Sequence, residues 1–159
     1  MTTIADYVGR TVDVLAFDGV KGEGQGEALL AQELFDDKYS GLVCTGIQKL
    51  AQRFILELLT DKGSMTGKPD NGTGLMRAYR QGVVRSEIDA AQEWAFAVNE
   101  ALANMKKEEL ETDPEDERIE SVELQSVAFA AGVKAAYHAK LISVAGTSRQ
   151  VILPLPIVP

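Results

Sequence analysis

GIQKLAQRFILELLTDKGSMTGKPDNGTG, residues 46–74, runs an amphipathic helix into a hard stop and then into a glycine-punctuated loop. Val43, Ile47, Leu50, Phe54 and Leu58 recur at spacings of three and four, and Ala51, Ile55 and Leu59 widen that stripe. Lys49, Gln52, Arg53 and Glu57 take the other side. The pattern predicts a helix over about 41–61. Ser40 is placed to accept an orphan amide of its first turn. Gly63 is placed to close the helix in the left-handed conformation. No apolar residue occurs from Thr66 to Gly74, so a loop follows, and Asn71-Gly72 reads as a turn dipeptide within it. Gly63 and Gly72 are therefore expected to be backbone requirements.

The loop is expected to run to about residue 82, and a second helix follows. Ser86 and Asp89 form an S-x-x-D start signal, with Asp in the place of the usual Glu or Gln. Ile88, Ala91, Ala95, Val98, Leu102 and Met105 are expected to be its apolar face, with Trp94 beside it. Beyond Pro114, Ile119–Phe129, Ala135–Ala145 and Arg149–Leu155 read as three strands, with hinges at Ala131-Gly132 and Gly146-Thr147-Ser148. Upstream, the alternation from Val12 to Phe17 reads as a short strand. Glycines at 19, 22, 24 and 26 follow it, and the apolar run Ala28–Phe35 fits either strand or helix. The expected fold is α+β: two main helices packed on a small antiparallel C-terminal sheet. Residues 1–40 are read as an N-terminal extension with a short strand or hairpin, and residues 41–159 as the domain.

A chain of 159 residues is long enough for one domain with its own core. Hydrophobic residues make up 45% and charged residues 25%, the balance of an ordinary globular protein. No apolar run is long enough to span a membrane, and the first residues read as no secretory signal. Cys44 is the one cysteine, so an internal disulfide and a cysteine metal cage are excluded. With 24 acidic and 16 basic residues the net charge is −8. Duplex DNA demands clustered Lys and Arg to displace counterions, and here they are scattered, so no direct nucleic-acid partner is expected. Arg77, Arg80 and Arg85 read as solvated or salt-bridged surface.

The same central segment carries a family resemblance. Gly46-Ile47-Gln48-Lys49-Leu50-Ala51-Gln52-Arg53, then Leu58-Leu59-Thr60-Asp61-Lys62-Gly63-Ser64, then Pro69-Asp70-Asn71-Gly72-Thr73-Gly74 resembles the baseplate wedge proteins of contractile-tailed phages and related injection machines, a family once labelled lysozyme-like. The likeness covers roughly residues 42–155. Asn71 stands before the turn glycine, where relatives often carry an aromatic residue. The resemblance implies a structural component of the wedge or inner ring, in several copies around the tail axis. Its partners would be larger wedge proteins, through the first helix, and the tail sheath, through the C-terminal sheet. It would be made in the host cytoplasm and reside in the virion tail baseplate. The alternatives are a peptidoglycan-degrading tail lysozyme and an assembly adaptor that leaves the finished particle.

Candidate chemistry is thin, and no catalytic, cofactor or metal residue is assigned. The glycine run at 19–26 lacks the G-K-[ST] of a phosphate cradle, and Asp18, Glu23 and Glu27 would repel an anion. His138 is the only histidine and sits inside a predicted strand, which leaves no partner for a triad or a zinc site. Cys44, placed in a first helical turn, would feel the helix dipole, yet no base lies near it in sequence. Residues 108–117, EELETDPEDE, hold seven carboxylates and read as a solvated connection without the asymmetry glycosidase chemistry needs. Neutralising Glu115, Asp116 and Glu117 is accordingly expected to leave assembly intact. The candidate interface comprises Ile47, Lys49, Leu50, Arg53 and Phe54 on the first helix, and Val151, Ile152, Leu153 and Leu155 on a partner-facing C-terminal sheet edge.

Overall fold

In the computed structural model, residues 10, 11, 13, 14, 17–19, 28–30, 43–130 and 133–157 are described. The order among them is β1 (Asp13–Val14), β2 (Phe17–Gly19), β3 (Ala28–Leu30), β4 (Val43–Cys44), α1 (Gly46–Leu59), α2 (Leu75–Arg80), α3 (Glu87–Glu108), β5 (Ile119–Ala130), β6 (Lys134–Ser143) and β7 (Ser148–Pro156). A single 3-10 turn, Glu115–Glu117, precedes β5. The chain is α+β: the described residues form three helices and a C-terminal antiparallel sheet of order β5-β6-β7. Two small pairs lie upstream, β1 with β4 and β2 with β3. In the β2–β3 pair Gly19 stands opposite Ala28. Asp13 and Val14 meet the rest of the described residues through β1, opposite Cys44 and Val43. Ser40 and the rest of the glycine run lie outside the described residues.

The first helix is shorter than its periodicity predicts. It begins at Gly46 with Thr45 as N-cap, because Val43 and Cys44 are taken by the ladder to β1. It ends at Leu59, where Thr60 turns extended. A parallel bridge from Asp61 to Thr73 then captures the chain. Lys62 donates its amide to Thr73 O at 3.1 Å, and Thr73 donates to Thr60 O at 2.8 Å. Gly63 lies in the turn beyond, not at the helix end itself.

Both singled-out glycines hold positive φ, 86° at Gly63 and 88° at Gly72. They differ in surroundings. A Cβ on Gly63 would meet nothing, whereas one on Gly72 would lie 2.5 Å from Thr60 O and 2.9 Å from Asp61 C, both backbone. Gly63→Ala is expected to cost about 1–2 kcal/mol from the left-handed conformation alone. Gly72→Ala must cost more, because it adds a backbone collision. Urea unfolding midpoints of the two variants check the ranking, and equal losses would remove the close-approach argument.

Two departures concern the middle of the chain. The stretch expected to be loop contains α2, six residues long and too short for a periodic signal, whose Leu75, Ala78 and Tyr79 are buried. The second main helix, α3, starts as expected: Ser86 Oγ accepts the Asp89 amide at 3.1 Å, and Asp89 accepts the Arg85 amide at 3.1 Å. Its buried face is rotated from the expected one. Ala90, Trp94, Ala97, Val98, Ala101 and Met105 face inward, while Ile88 and Ala95 face solvent. Trp94 decides the rotation, because burying one indole outweighs burying several alanines.

The core fills the space between the helices and the inner sheet face. On that face β6 contributes Ala135, Tyr137, Ala139 and Leu141, and β7 contributes Val151, Leu153 and Leu155. Trp94 is the junction of three elements. Phe54 of α1 meets it edge-on at 6.4 Å, and Tyr137 of β6 stacks on it at 4.5 Å. The Tyr137 hydroxyl donates to Ala90 O at 3.1 Å, so the 2.6 Å bond to Tyr79 is donated by Tyr79. Burial raises both phenols above their ordinary range, which keeps each a neutral donor.

Candidate functional site

The resembling words at 60–74 occupy a joint between α1 and α3, framed by carboxylates. Glu57 of α1 accepts the Gly72 amide and the Asn104 side-chain amide, each at 2.7 Å. Asn104 also donates to Gly72 O at 3.2 Å. Glu100 of α3 accepts Lys62 Nζ at 2.9 Å and the Gly74 amide at 3.1 Å. Glu108 accepts Lys68 Nζ at 2.6 Å and Asn71 Nδ2 at 2.9 Å, and these bonds hold its carboxyl below the usual range. Buried Thr73 ties the loop inward by donating to Leu58 O at 2.7 Å. The Gly72 and Gly74 amides are thus both taken by carboxylates of the flanking helices.

A second polar centre lies at the other end of α1. Glu117 is 3% exposed. Its carboxylate accepts the Gly46 amide at 3.0 Å, the Thr45 hydroxyl at 2.7 Å and Lys49 Nζ at 2.7 Å. Arg10 reaches it at 3.5 Å and Asp116 at 2.8 Å. Gly46 sits at φ 62° with Asp116 Oδ2 only 2.7 Å from where a Cβ would lie, so glycine lets the carboxylates approach the helix start. An anion at a helix N-terminus meets orphan amides and the positive end of the dipole. This corrects the reading of residues 108–117 as a uniformly solvated connection. Glu117 is a structural anion, so neutralising it together with Glu115 and Asp116 is now expected to weaken the fold, and that triple variant is no neutral control.

Burial works against ionisation of Glu117, but the bonds from Lys49, Gly46 and Thr45 outweigh it and hold the carboxyl below its usual range. A depressed folded value means stability that is present above the unfolded pKa of about 4.3 and lost as pH falls through the folded one. Glu117→Gln is expected to cost about 1.5–3 kcal/mol at pH 7, the worth of hydrogen bonds to a charged group. Urea midpoints of the variant and the parent should converge in acid. A constant gap from pH 7 to pH 3 would contradict this role.

The candidate interface residues divide sharply. Leu50 and Phe54 are fully buried in this chain's own core, and Val151, Leu153 and Leu155 are 3–4% exposed against the same core. Leu50 and Phe54, expected as core or inter-chain contacts, are core, and Val151, Leu153 and Leu155 are covered by this chain rather than free to meet a partner, which corrects the assignment of those three. Ile47 packs partly against the core. Lys49 is spent on Glu117 and Thr11. Gln52, expected outside, is buried and donates to Asp13 at 2.9 Å. Arg53 is half-buried, and Ile152 lies on the outer sheet face opposite His138.

Cys44 lies in β4, before the helix, not in its first turn. Burial, with the Asp13 charge next, pushes its thiol up to about 11, which removes the dipole-activated reading. Arg80 pairs with Asp61, Arg77 donates to Lys62 O and Arg85 to Gly82 O, as expected of a salt-bridged surface. Among the described residues, no group of three or more His, Cys, Asp or Glu is arranged to hold a metal, and no helix is long and apolar enough to cross a membrane.

Sheet edges are the remaining surfaces with binding chemistry. Ile157 donates to Val133 O, so alternation turns the backbone positions of 154 and 156 away from β6. Both are prolines, and the outer edge of β7 lacks two donors there. The outer edge of β5 has no proline over twelve residues, and residues 123–126 are exposed. Two register shifts bend it. No family model matches the chain, and neither a curated protein nor a solved structure matches it.

Proposed function

We propose that this chain is a structural component of a contractile-tail baseplate, in its wedge or inner ring, joining wedge proteins to the tail sheath. The observation that carries the reading is the use made of the resembling words. They build a carboxylate-framed joint that fixes α1 against α3, followed by a C-terminal sheet, the order of elements the resemblance implies. The buried polar groups support the same reading. Glu117, Thr73, Ser143, Tyr79 and Tyr137 all spend their bonds on this chain. A scaffold uses buried polarity in this way. Contact with a neighbouring strand falls on the outer edge of β5 around the exposed residues 123–126, beyond the start of the strand where Glu109 and Lys106 already bond the backbone, and not on the proline-blocked edge of β7. Several copies then surround the tail axis, and the virion baseplate is the site of action.

Mass spectrometry of purified tails tests the proposal. The chain should co-purify with sheath and wedge proteins in a fixed ratio. Its presence only in lysates, outside finished particles, would make it an assembly adaptor. Clearing of a cell-wall suspension by the isolated chain would make it a hydrolase.

A further inference from the structure

Ile88 and Phe96 stand on the outside of α3, 70% and 67% exposed. They belong to a seam. Ile88, Gln92, Ala95, Asn99, Ala103 and Lys106 follow one another at spacings of three and four, and all face solvent, with Phe96 beside Ala95. On this face two large apolar side chains, Ile88 and Phe96, lie in solvent beside two small ones, Ala95 and Ala103, a mix that lets a second helix approach closely. The opposite face of α3 is already spent on Trp94 and the core.

We propose that this seam pairs α3 with α3 of a second copy of the chain, antiparallel, about a two-fold axis beside Asn99 and Glu100. A two-fold contact must be self-complementary, and this surface is so in size and in charge. In that register Phe96 lies over Ala103 of the second copy, a large side chain over a small one, twice. Glu93 and Lys107 lie on the same side of Phe96 at 100° per residue, about 21 Å apart along the axis. The antiparallel register brings Glu93 of each copy to Lys107 of the other. Neither residue forms an ion pair among the described residues. A parallel arrangement would put these residues of the two copies on opposite sides of the seam and would form neither pair. Glu100 meets its own copy near the axis, but each carboxylate already carries Lys62 at 2.9 Å. The opposed helix dipoles add to the preference. The inference is independent of the tail reading, since it concerns the isolated chain.

Sedimentation equilibrium of the full chain over a concentration series tests it. The expected result is a monomer–dimer equilibrium. Phe96→Glu should weaken the dimer by about tenfold or more, a loss of about 1.4 kcal/mol or more. Glu93→Lys should weaken it, and Glu93→Lys combined with Lys107→Glu should restore it. Asn99→Cys, beside the axis, should cross-link under mild oxidation, while the buried native Cys44 should not. Circular dichroism melts of these surface variants should match the parent. A chain that is monomeric at every concentration overturns the proposal, and so does a dimer indifferent to both Phe96→Glu and Glu93→Lys. A monomer that needs Phe96 only to join other tail proteins gives the face to a different partner and overturns it as well.

Discussion

Removing residues 151–159 unfolds the isolated chain. β7 holds the whole length of β6, from Lys134 opposite Pro156 to Ile142 opposite Ser148. The truncation takes away Val151, Leu153 and Leu155, each at most 4% exposed. Burying one such side chain is worth about 1.5–3 kcal/mol. Losing three approaches the whole stability of a typical domain, about 5–15 kcal/mol. It also leaves β6 without its second neighbour, and its remaining partner strand makes a pair that is marginal alone. The measurement is a far-ultraviolet melt of the truncated chain, with the parent as control. A cooperative transition retained within a few degrees of the parent would mean that β7 is dispensable and would return the tail to the partner-facing role first expected of it.

That reversal shows what the C-terminal sequence could and could not convey. The strands were legible, because β-rich runs are set apart by punctuation such as Gly146-Thr147, while Ala131-Gly132 lies outside the described residues. The inner face of β7 was not. Val151, Leu153 and Leu155 alternate with Ile152, Pro154 and Pro156, so both faces are apolar and period two does not choose between them. Only the sheet order, with β7 as an edge strand packed on the core, makes the choice. On α3 the cap was legible from Ser86 and Asp89, but the buried face was not, since alanines at 90, 91, 95, 97 and 101 leave the periodicity nearly flat. One tryptophan settled it. α2 was too short to announce itself, although Leu75, Ala78 and Tyr79 do show helical spacing.

The polar centres were harder still. The positive φ of Gly63 and Gly72 was readable because tight turns are local events, although Gly63 serves the turn after α1 and not the helix end. Glu117 was not, because what buries it lies 71 residues away at Gly46. Seven carboxylates in ten residues look alike until a helix N-terminus is laid against one of them. The clue on the page was Lys49, placed on what should have been a solvent face yet held to Glu117 at 2.7 Å. Glu57, Glu100 and Glu108 present the same difficulty, each being ordinary helix surface until the loop at 60–74 folds over it.

Phe54→Asp should leave the chain unfolded at pH 7, while Arg53→Gln, one residue away, should change stability by no more than about 0.5 kcal/mol. Phe54 has no exposed surface and meets Trp94 edge-on at 6.4 Å. Emptying a buried phenylalanine site costs about 3–5 kcal/mol through lost transfer energy and the cavity left behind. The carboxylate adds a charge with no partner in an apolar site, so its folded pKa must rise as it takes up a proton. An acid whose folded pKa lies above its unfolded value destabilises the fold increasingly as pH climbs from the unfolded value to the folded one. The defect of Phe54→Asp should therefore be smaller at pH 4 than at pH 7, the same direction as that of Glu117→Gln but for the converse reason: in Phe54→Asp the variant's carboxyl resists ionisation in the fold, whereas in Glu117→Gln the fold favours the parent's ionised carboxylate. Phe54→Leu, which keeps the site apolar, should cost much less and show no such pH dependence. Urea titrations of Phe54→Leu and Arg53→Gln, with solubility and melts of Phe54→Asp at both pH values, separate these effects. Similar losses for Arg53→Gln and Phe54→Leu would place the buried stripe of α1 on the wrong side, and with it the junction of Phe54, Trp94 and Tyr137 that joins the helices to the sheet.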